Sequence, residues 1–284
     1  MFQRIGIIGG LGIMGSMFEG HFKSHGIDVL ISDKEDHAQE KHLVLESELI
    51  IISVPIEETT KVIRRIKPWL TNHQLLSDFT SVKNKIVHEM LETEADVISC
   101  HPMFGRLADV KGQNIILLPA RPGKYLSKLK RLYALLGLNV VVMEDWEKHD
   151  ESMSVIQGLM HFIHIVFTQT LKSKNVDLNA LLEICSPVYK ANFAFACRIL
   201  QRDPHLYTHI LMDNPENISV LNRFISQAHD SLKLIQQKDE TTFEKHFLEY
   251  REFLGDLTDV FSEQSDFLID QLKNFHSDQQ HKKE

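Results

Sequence analysis

Arg4-Ile5-Gly6-Ile7-Ile8 runs almost directly into Gly10-Leu11-Gly12-Ile13-Met14-Gly15, and Ile13–His25 continues with helical spacing. No other stretch restricts the fold as strongly. An apolar strand, a glycine-rich turn and a helix in that order open a βαβ unit. In this reading Gly10 makes the tight turn, Gly12 lets the backbone approach a pyrophosphate, and Gly15 lets the helix pack closely on the strand. Leu11, Ile13 and Met14 complete the loop, and the helix start turns free N–H groups and a positive dipole end toward phosphate.

A second marker agrees. Asp28–Ser32 reads as the next strand, and Asp33 at its end follows Gly10 by 23 residues. An acid there accepts hydrogen bonds from an adenosine ribose 2′-OH and repels a 2′-phosphate, which favours NAD over NADP. Ser53-Val54-Pro55, after the apolar run Leu49–Ile52, belongs to the same expected cofactor edge.

Glycine divides the chain in two. Eleven of its 13 glycines lie at or before Gly137. Before that point strands alternate with helices. Leu49–Val54, Gln74–Asp78, Asp96–Cys100, Asn114–Leu118 and Leu138–Met143 read as further strands, and Thr59–Leu70 as a helix. Such alternation predicts an α/β, Rossmann-type, doubly wound and mostly parallel sheet. After it, Glu147–Lys174, Asn179–Arg202, Pro215–Gln236 and Glu240–His276 read as long helices. In the last, apolar residues from Phe243 through Phe247, Tyr250, Leu254, Leu257, Phe261, Leu268 and Leu272 to Phe275 keep a spacing near 3.5. That seam fits a helical bundle or a dimer. The expected organisation is a nucleotide-binding domain over 1–146, an all-α substrate and dimerisation domain over 147–276, and a polar tail over 277–284.

Composition removes several function classes. The 284 residues include 31 Lys plus Arg and 39 Asp plus Glu, for a formal charge of −8. A net-negative chain is poorly suited to general nucleic-acid binding or an anionic membrane surface. The apolar runs are too short to span a bilayer. Three cysteines with no CxxC pair, and no signal-peptide pattern ahead of Arg4, point to a reducing, cytoplasmic setting.

Ligands in open α/β sheets bind beyond the carboxyl ends of the strands. His101-Pro102-Met103-Phe104-Gly105 follows one such end, and an imidazole there suits removal of a hydroxyl proton at neutral pH. A histidine that merely caps its strand is the bland alternative. Ser81, in Asp78-Phe79-Thr80-Ser81-Val82-Lys83, either orients His101 or caps a helix beginning at Val82. Lys83 reads as a solvated helix residue. Cys100 suggests no thiol chemistry, and no zinc-ligand spacing occurs here. Gln157 and His161 share a helix face, and His161 by itself reads more simply as a satisfied core histidine. Lys190 and Arg198 stand about 80° apart around another helix and can address the same side. Arg198 alone reads more simply as a surface ion-pair residue.

IGIIGGLGIMG, IIISVPI, DFTSVKN, HPMFG, EKHDESMSVIQGLMHF, SPVYKANFAFACRIL and DPHLYTHILM occur in this order over nearly the whole chain. In these segments the chain resembles bacterial prephenate dehydrogenases, especially the dehydrogenase portion of the bifunctional chorismate mutase–prephenate dehydrogenases. The resemblance implies a cytoplasmic homodimer that uses NAD to decarboxylate prephenate oxidatively to 4-hydroxyphenylpyruvate on the route to tyrosine. It places the catalytic His on His101, its Ser partner on Ser81 and the substrate Arg on Arg198. It also places a substrate-site His, linked to recognition of L-tyrosine as an inhibitor, on His161, and a structural His on His149. Lys190 stands where the bifunctional proteins carry Arg; it keeps the charge and loses the fork. Arg106-Leu107 replaces the usual residues after HPMFG; Arg106 either adds a cation at the pocket mouth or faces solvent. The mutase helices have no counterpart ahead of Arg4, and no mutase activity is expected. The competing readings are an arogenate or 4-amino-4-deoxyprephenate dehydrogenase, a β-hydroxyacid dehydrogenase, and a non-catalytic NAD(H)-binding sensor.

Overall fold

The computed structural model describes residues 1–34, 36–105, 107 and 109–281, with the backbone alone at 37 and 274–281. The chain forms two compact units. One is Met1–Ile156 with Thr208–Glu216; the other is Gln157–Tyr207 with Asn217–Glu284.

The first unit is built on β1 (Arg4–Ile8), α1 (Ile13–Ser24), β2 (Asp28–Ser32), α2 (His37–Glu46), β3 (Leu49–Ile52), α3 (Ile56–Ile66), β4 (Leu75–Asp78), α4 (Asn84–Leu91), β5 (Asp96–Pro102), β6 (Asn114–Arg121), α5 (Leu126–Leu135), β7 (Asn139–Val142) and the short α6 (His149–Met153). The seven strands form one sheet in the order β2-β1-β3-β4-β5-β6-β7. Among the described residues, the β5–β6 pair alone is antiparallel; its register sets His101 opposite Ile116. The strand order reverses around β1, so the ends of β1 and β3 form the crevice where such sheets bind ligands.

Both faces of the sheet are covered, which is why its strands are almost continuously apolar. Alternate residues serve opposite faces. Leu49 and Ile51 join Ile5, Ile7, Phe18, Phe22, Leu129 and Tyr133 in one core. Ile50 and Ile52 join Leu43, Val44, Val62, Ile63 and Ile86 in the other.

The second unit is helical: α7 (Met160–Ser173), α8 (Leu178–Ile184), α9 (Pro187–Leu200), α11 (Glu216–Gln237), α12 (Glu240–Leu254) and α13 (Leu257–His281), with α10 (Pro204–Met212) where the chain passes between units. The stretch read as 215–236 is one helix, α11, while the other three stretches read as long helices are each interrupted. The stretch read as 179–202 is broken at Ser186-Pro187. Ser186 accepts from the N–H of Tyr189, and proline at the first helical position lacks the N–H that would continue the preceding helix. The stretch read as 240–276 breaks at Gly255, whose φ of 53° lies in the left-handed region. The stretch read from 147 includes a π-helical segment, Ser154–Leu159. α13 continues through residues 277–281, which the sequence assigns to a polar tail; 282–284 lie outside the described residues. The apolar seam from Phe243 to Leu268 is exposed in the single chain. Among the described residues, no helix is long and apolar enough to cross a membrane.

Candidate active site

The glycine turn is held by β2. The N–H groups of Gly9 and Gly10 both donate to Ser32 O, at 2.8 and 3.1 Å. The positive-φ residue of the turn is Gly9, at 84°, and not Gly10 as the motif alone suggests. Gly10 lacks a side chain for another reason: a Cβ there would lie 2.5 Å from Ile31 Cβ. A Cβ on Gly15 would lie 2.3 Å from Gly9 O, so the close approach of α1 to the turn depends on that glycine. At Gly12, a Cβ would meet only Gly9 O at 3.2 Å and Ser53 O at 3.7 Å. Its absence leaves backbone bare at the start of α1, where no side chain caps the helix and Leu11 and Ile13 are exposed.

Asp33 closes this loop. Its carboxylate accepts from the N–H of Leu11 at 3.0 Å and of Lys34 at 2.8 Å. Ser53 donates its N–H to Ile8 O, which sets Ser53-Val54-Pro55 beside Gly9. The structure therefore brings Gly10–Gly15, Asp33 and Ser53–Pro55 together at the carboxyl ends of β1, β2 and β3. A bare helix start with an acid at the end of β2 fits the pyrophosphate and ribose of a dinucleotide.

His101 lies in β5 and is 1% exposed. Its Nδ1 is 2.9 Å from Nε2 of His149, whose own Nδ1 is 2.8 Å from Asp150 Oδ1. Asp150 also accepts from the N–H groups of Lys83 and Asn84, and so caps α4 from 66 residues away. α4 begins at Asn84, two residues later than the sequence suggests. Ser81 is half-buried in the preceding loop. Among the described residues it neither caps that helix nor bonds to His101, whose Nδ1 faces His149.

Lys83 is not solvated. It is fully buried, with Nζ donating to Asp78 Oδ2 at 2.6 Å, to Cys100 O at 2.7 Å and to Thr80 Oγ1 at 3.3 Å. Burial holds His101 well below the usual imidazole range, and the positive charge it would meet at His149 and Lys83 adds to this. His149 is lowered by burial and Lys83, against the pull of Asp150. Burial would raise the Asp150 carboxyl, but bonds from His149, Asn84 and Lys83 outweigh it and lower the group. Burial pushes the Cys100 thiol up to about 12, which leaves it inert.

In the helical unit, His161 lies on α7 one turn after Gln157, which falls in the π-helical segment; Lys190 and Arg198 both lie on α9. Arg198 is exposed, and Lys190 and Gln157 half-buried. Burial lowers His161 to about 4. Its ring meets Tyr207 edge-on, with centroids 4.9 Å apart. Burial raises the Tyr207 phenol against the opposing pull of Arg202 and Arg198. Tyr207 thus joins His161 and Arg198 in one neighbourhood, a role that local spacing did not reveal. Arg106 lies outside the described residues.

The sequence matches the prephenate dehydrogenase nucleotide-binding domain over residues 14–142 and the prephenate dehydrogenase dimerization domain over residues 145–249. It is 32% identical over 275 residues to the T-protein of Haemophilus influenzae, covering 96% of this chain and 72% of that one. The chain belongs to the prephenate dehydrogenase family. A second relative of this family, named a probable arogenate/prephenate dehydrogenase, comes from Methanocaldococcus jannaschii. It is 31% identical over 272 residues, 88% of this chain and 61% of its own. The fold matches that of a prephenate dehydrogenase from A. aeolicus, solved with hydroxyphenyl propionate and NAD+. The TM-score is 0.73 at 19% identity, covering 94% of this chain and 99% of that one. The chain is therefore an oxidoreductase of the prephenate dehydrogenase family with an α/β nucleotide-binding part and a helical part.

Proposed function

We propose that the protein is a homodimeric, NAD-dependent prephenate dehydrogenase that forms 4-hydroxyphenylpyruvate, with His101 as the base. The observation that carries this reading is His101, buried at the carboxyl end of β5 with its Nδ1 2.9 Å from Nε2 of His149. When bound, NAD accepts the hydride from the ring carbon that carries the hydroxyl. Gly10, Leu11, Gly12, Ile13, Met14 and Gly15 hold its pyrophosphate, Asp33 its ribose hydroxyls, and Ser53, Val54 and Pro55 flank it. His101 takes the hydroxyl proton as the hydride departs. The ring carboxylate leaves as carbon dioxide, its bonding electrons make the ring aromatic, and His101 returns the proton to the phenolic oxygen. Ser81, half-buried in the loop before α4, is the partner of His101 by resemblance alone. Arg198 and Lys190 bind the substrate's carboxylates; Gln157 and His161 complete the recognition. The exposed seam on α12 and α13 and the match to a dimerization domain support the homodimer.

Support for this reading comes from relatives named for prephenate and from the solved structure's NAD+ and hydroxyphenyl propionate. Arogenate is the competing substrate, because one relative carries both names. NADH or NADPH formation with prephenate and with arogenate, each run with NAD and with NADP, tests the proposal. Turnover of prephenate with NAD is the expected result. Turnover of arogenate alone moves the substrate assignment. Dinucleotide binding with no turnover of either returns the sensor reading.

A further inference from the structure

The groups not used by the reaction above include a second histidine and an acid that lie in line behind His101. We propose that Asp150, acting through His149, is a positioning residue that fixes the tautomer of His101 so that Nε2 is its basic nitrogen. The inference rests on the reading of His101 as the base.

Asp150 is an acceptor at both oxygens. Oδ1 takes the N–H of Lys83 at 2.9 Å and faces His149 Nδ1 at 2.8 Å; Oδ2 takes the N–H of Asn84 at 2.8 Å. A carboxylate with no proton requires a donor at His149 Nδ1. A neutral His149 has one N–H, so its Nε2 carries a lone pair. That lone pair lies 2.9 Å from His101 Nδ1, which must therefore carry the proton of His101. Nε2 of His101 is then the nitrogen able to take a proton. The same logic orients an imidazole behind a hydroxyl in hydrolase triads, where the acid holds the ring in one tautomer. Here one more imidazole stands between acid and base.

The acid is itself held in place. Besides the α4 cap, Asn214 Nδ2 donates to the Asp150 backbone carbonyl at 2.8 Å. Among the described residues, Lys83 and Asp78 also face the line, and they pair with each other at 2.6 Å. The neighbouring Cys100 thiol stays uncharged. Neutrality of both rings, which burial favours, is what makes a single proton pattern possible.

Asp150→Asn is the informative change. An amide oxygen in place of Oδ2 still accepts from Asn84 at 2.8 Å and from Lys83 at 3.1 Å, so the α4 cap survives through that oxygen, while the acceptor that met the Lys83 N–H at 2.9 Å is lost. The amide nitrogen then faces His149 Nδ1 as a donor. This reverses both rings and puts the His101 proton on Nε2. The full-length variant is expected to lose roughly 10²- to 10⁴-fold in kcat, with KM for prephenate within about 3-fold of the unmodified enzyme. Nitrogen-15 shifts of the labelled His101 ring should report Nδ1–H in the unmodified protein and Nε2–H in the variant. A purely structural acid would lower stability and leave the tautomer unchanged.

Outcomes separate the two readings. If His101→Asn keeps its turnover, the base assignment fails, whatever Asp150→Asn does. If His101→Asn is inactive while Asp150→Asn keeps its kcat, the base stands and the positioning role is overturned. Should Asp150→Asn not fold, the unmodified protein still decides the matter: Nε2–H on His101 overturns the inference, and Nδ1–H supports it.

Discussion

Lys83 Nζ lies 2.6 Å from Asp78 Oδ2, and water reaches neither side chain. All three ammonium protons have acceptors: Asp78, Cys100 O and Thr80 Oγ1. The pair joins the β4–α4 loop to the residue just before His101. Removing one member leaves the other charge buried alone, which costs about 3–5 kcal/mol. Lys83→Met and Asp78→Asn should each lower stability by roughly that amount in urea denaturation at fixed protein concentration. Because the two share one interaction, the double variant should lose less than the sum of the singles. Additive losses would show that the pair is not coupled.

The histidines make stability pH-dependent, and the sign follows from burial. His101, His149 and His161 all bind protons less readily folded than unfolded. Above the unfolded value near 6.5 all three are neutral in both states, and their contribution is fully present. As pH falls below 6.5 the unfolded chain takes up protons first, so stability declines. For His161 the decline runs down to about 4. Thermal midpoints measured from pH 8 to pH 4 should fall across this window, and His161→Gln should flatten part of the slope. A flat profile in the unmodified protein would refute the assignment of these rings as buried and neutral.

These two features also show where sequence reasoning reaches and where it stops. Apolar runs such as Leu49–Ile52 announce strands buried on both faces, and all seven strands lie within a few residues of where the pattern puts them. The turn–helix start and Asp33 were legible because they depend on short-range spacing. Lys83 was not, because its burial is decided by Asp78 and by a carbonyl on β5. His149 and Asp150 meet partners 48 and 66 residues away. No periodicity carries that information. Ser186-Pro187 and Gly255 were visible as helix breakers, yet the apolar period continues across both and hides the breaks.

Two glycines of the turn should respond differently to alanine. At Gly15 an added Cβ meets backbone atoms of Gly9 and Gly10 within 3 Å, so α1 must shift. Gly15→Ala is expected to lower both stability and dinucleotide affinity. At Gly12 the nearest atom is 3.2 Å away, and the fold can absorb the methyl with a small adjustment. The methyl would still occupy the approach to the start of α1. Gly12→Ala should weaken NAD binding about 10-fold or more, a loss near 1.4 kcal/mol, with the thermal midpoint of the free protein little changed. Titration calorimetry with NAD checks the first, and equal affinity would remove Gly12 from the cofactor site.

Asp33 tests cofactor choice. Its carboxylate is held at the end of β2 by the N–H groups of Leu11 and Lys34. A fixed anion in that position repels a 2′-phosphate, and Lys34 beside it supplies a cation once the acid is removed. Asp33→Ser should raise the ratio of NADP to NAD turnover, measured as kcat/KM, by at least about 10-fold. An unchanged ratio means that the ribose hydroxyls are read elsewhere.

Arg198 tests substrate binding. It lies exposed on α9, and its charge is felt by Tyr207, which packs against His161. The bland reading is a surface cation whose loss changes little. In the substrate reading, a guanidinium fork grips a carboxylate through charge-assisted bonds worth about 1.5–3 kcal/mol. Arg198→Gln should then raise KM for prephenate roughly 10- to 150-fold, with kcat much less affected, because the carboxylate is bound in ground and transition states alike. Arg198→Lys keeps the charge without the fork and should fall between the two. Lys190→Arg adds a fork on the same helix and should lower KM if Lys190 meets the second carboxylate. A KM for Arg198→Gln equal to that of the unmodified enzyme leaves Arg198 as a surface cation and removes α9 as the source of the substrate's guanidinium.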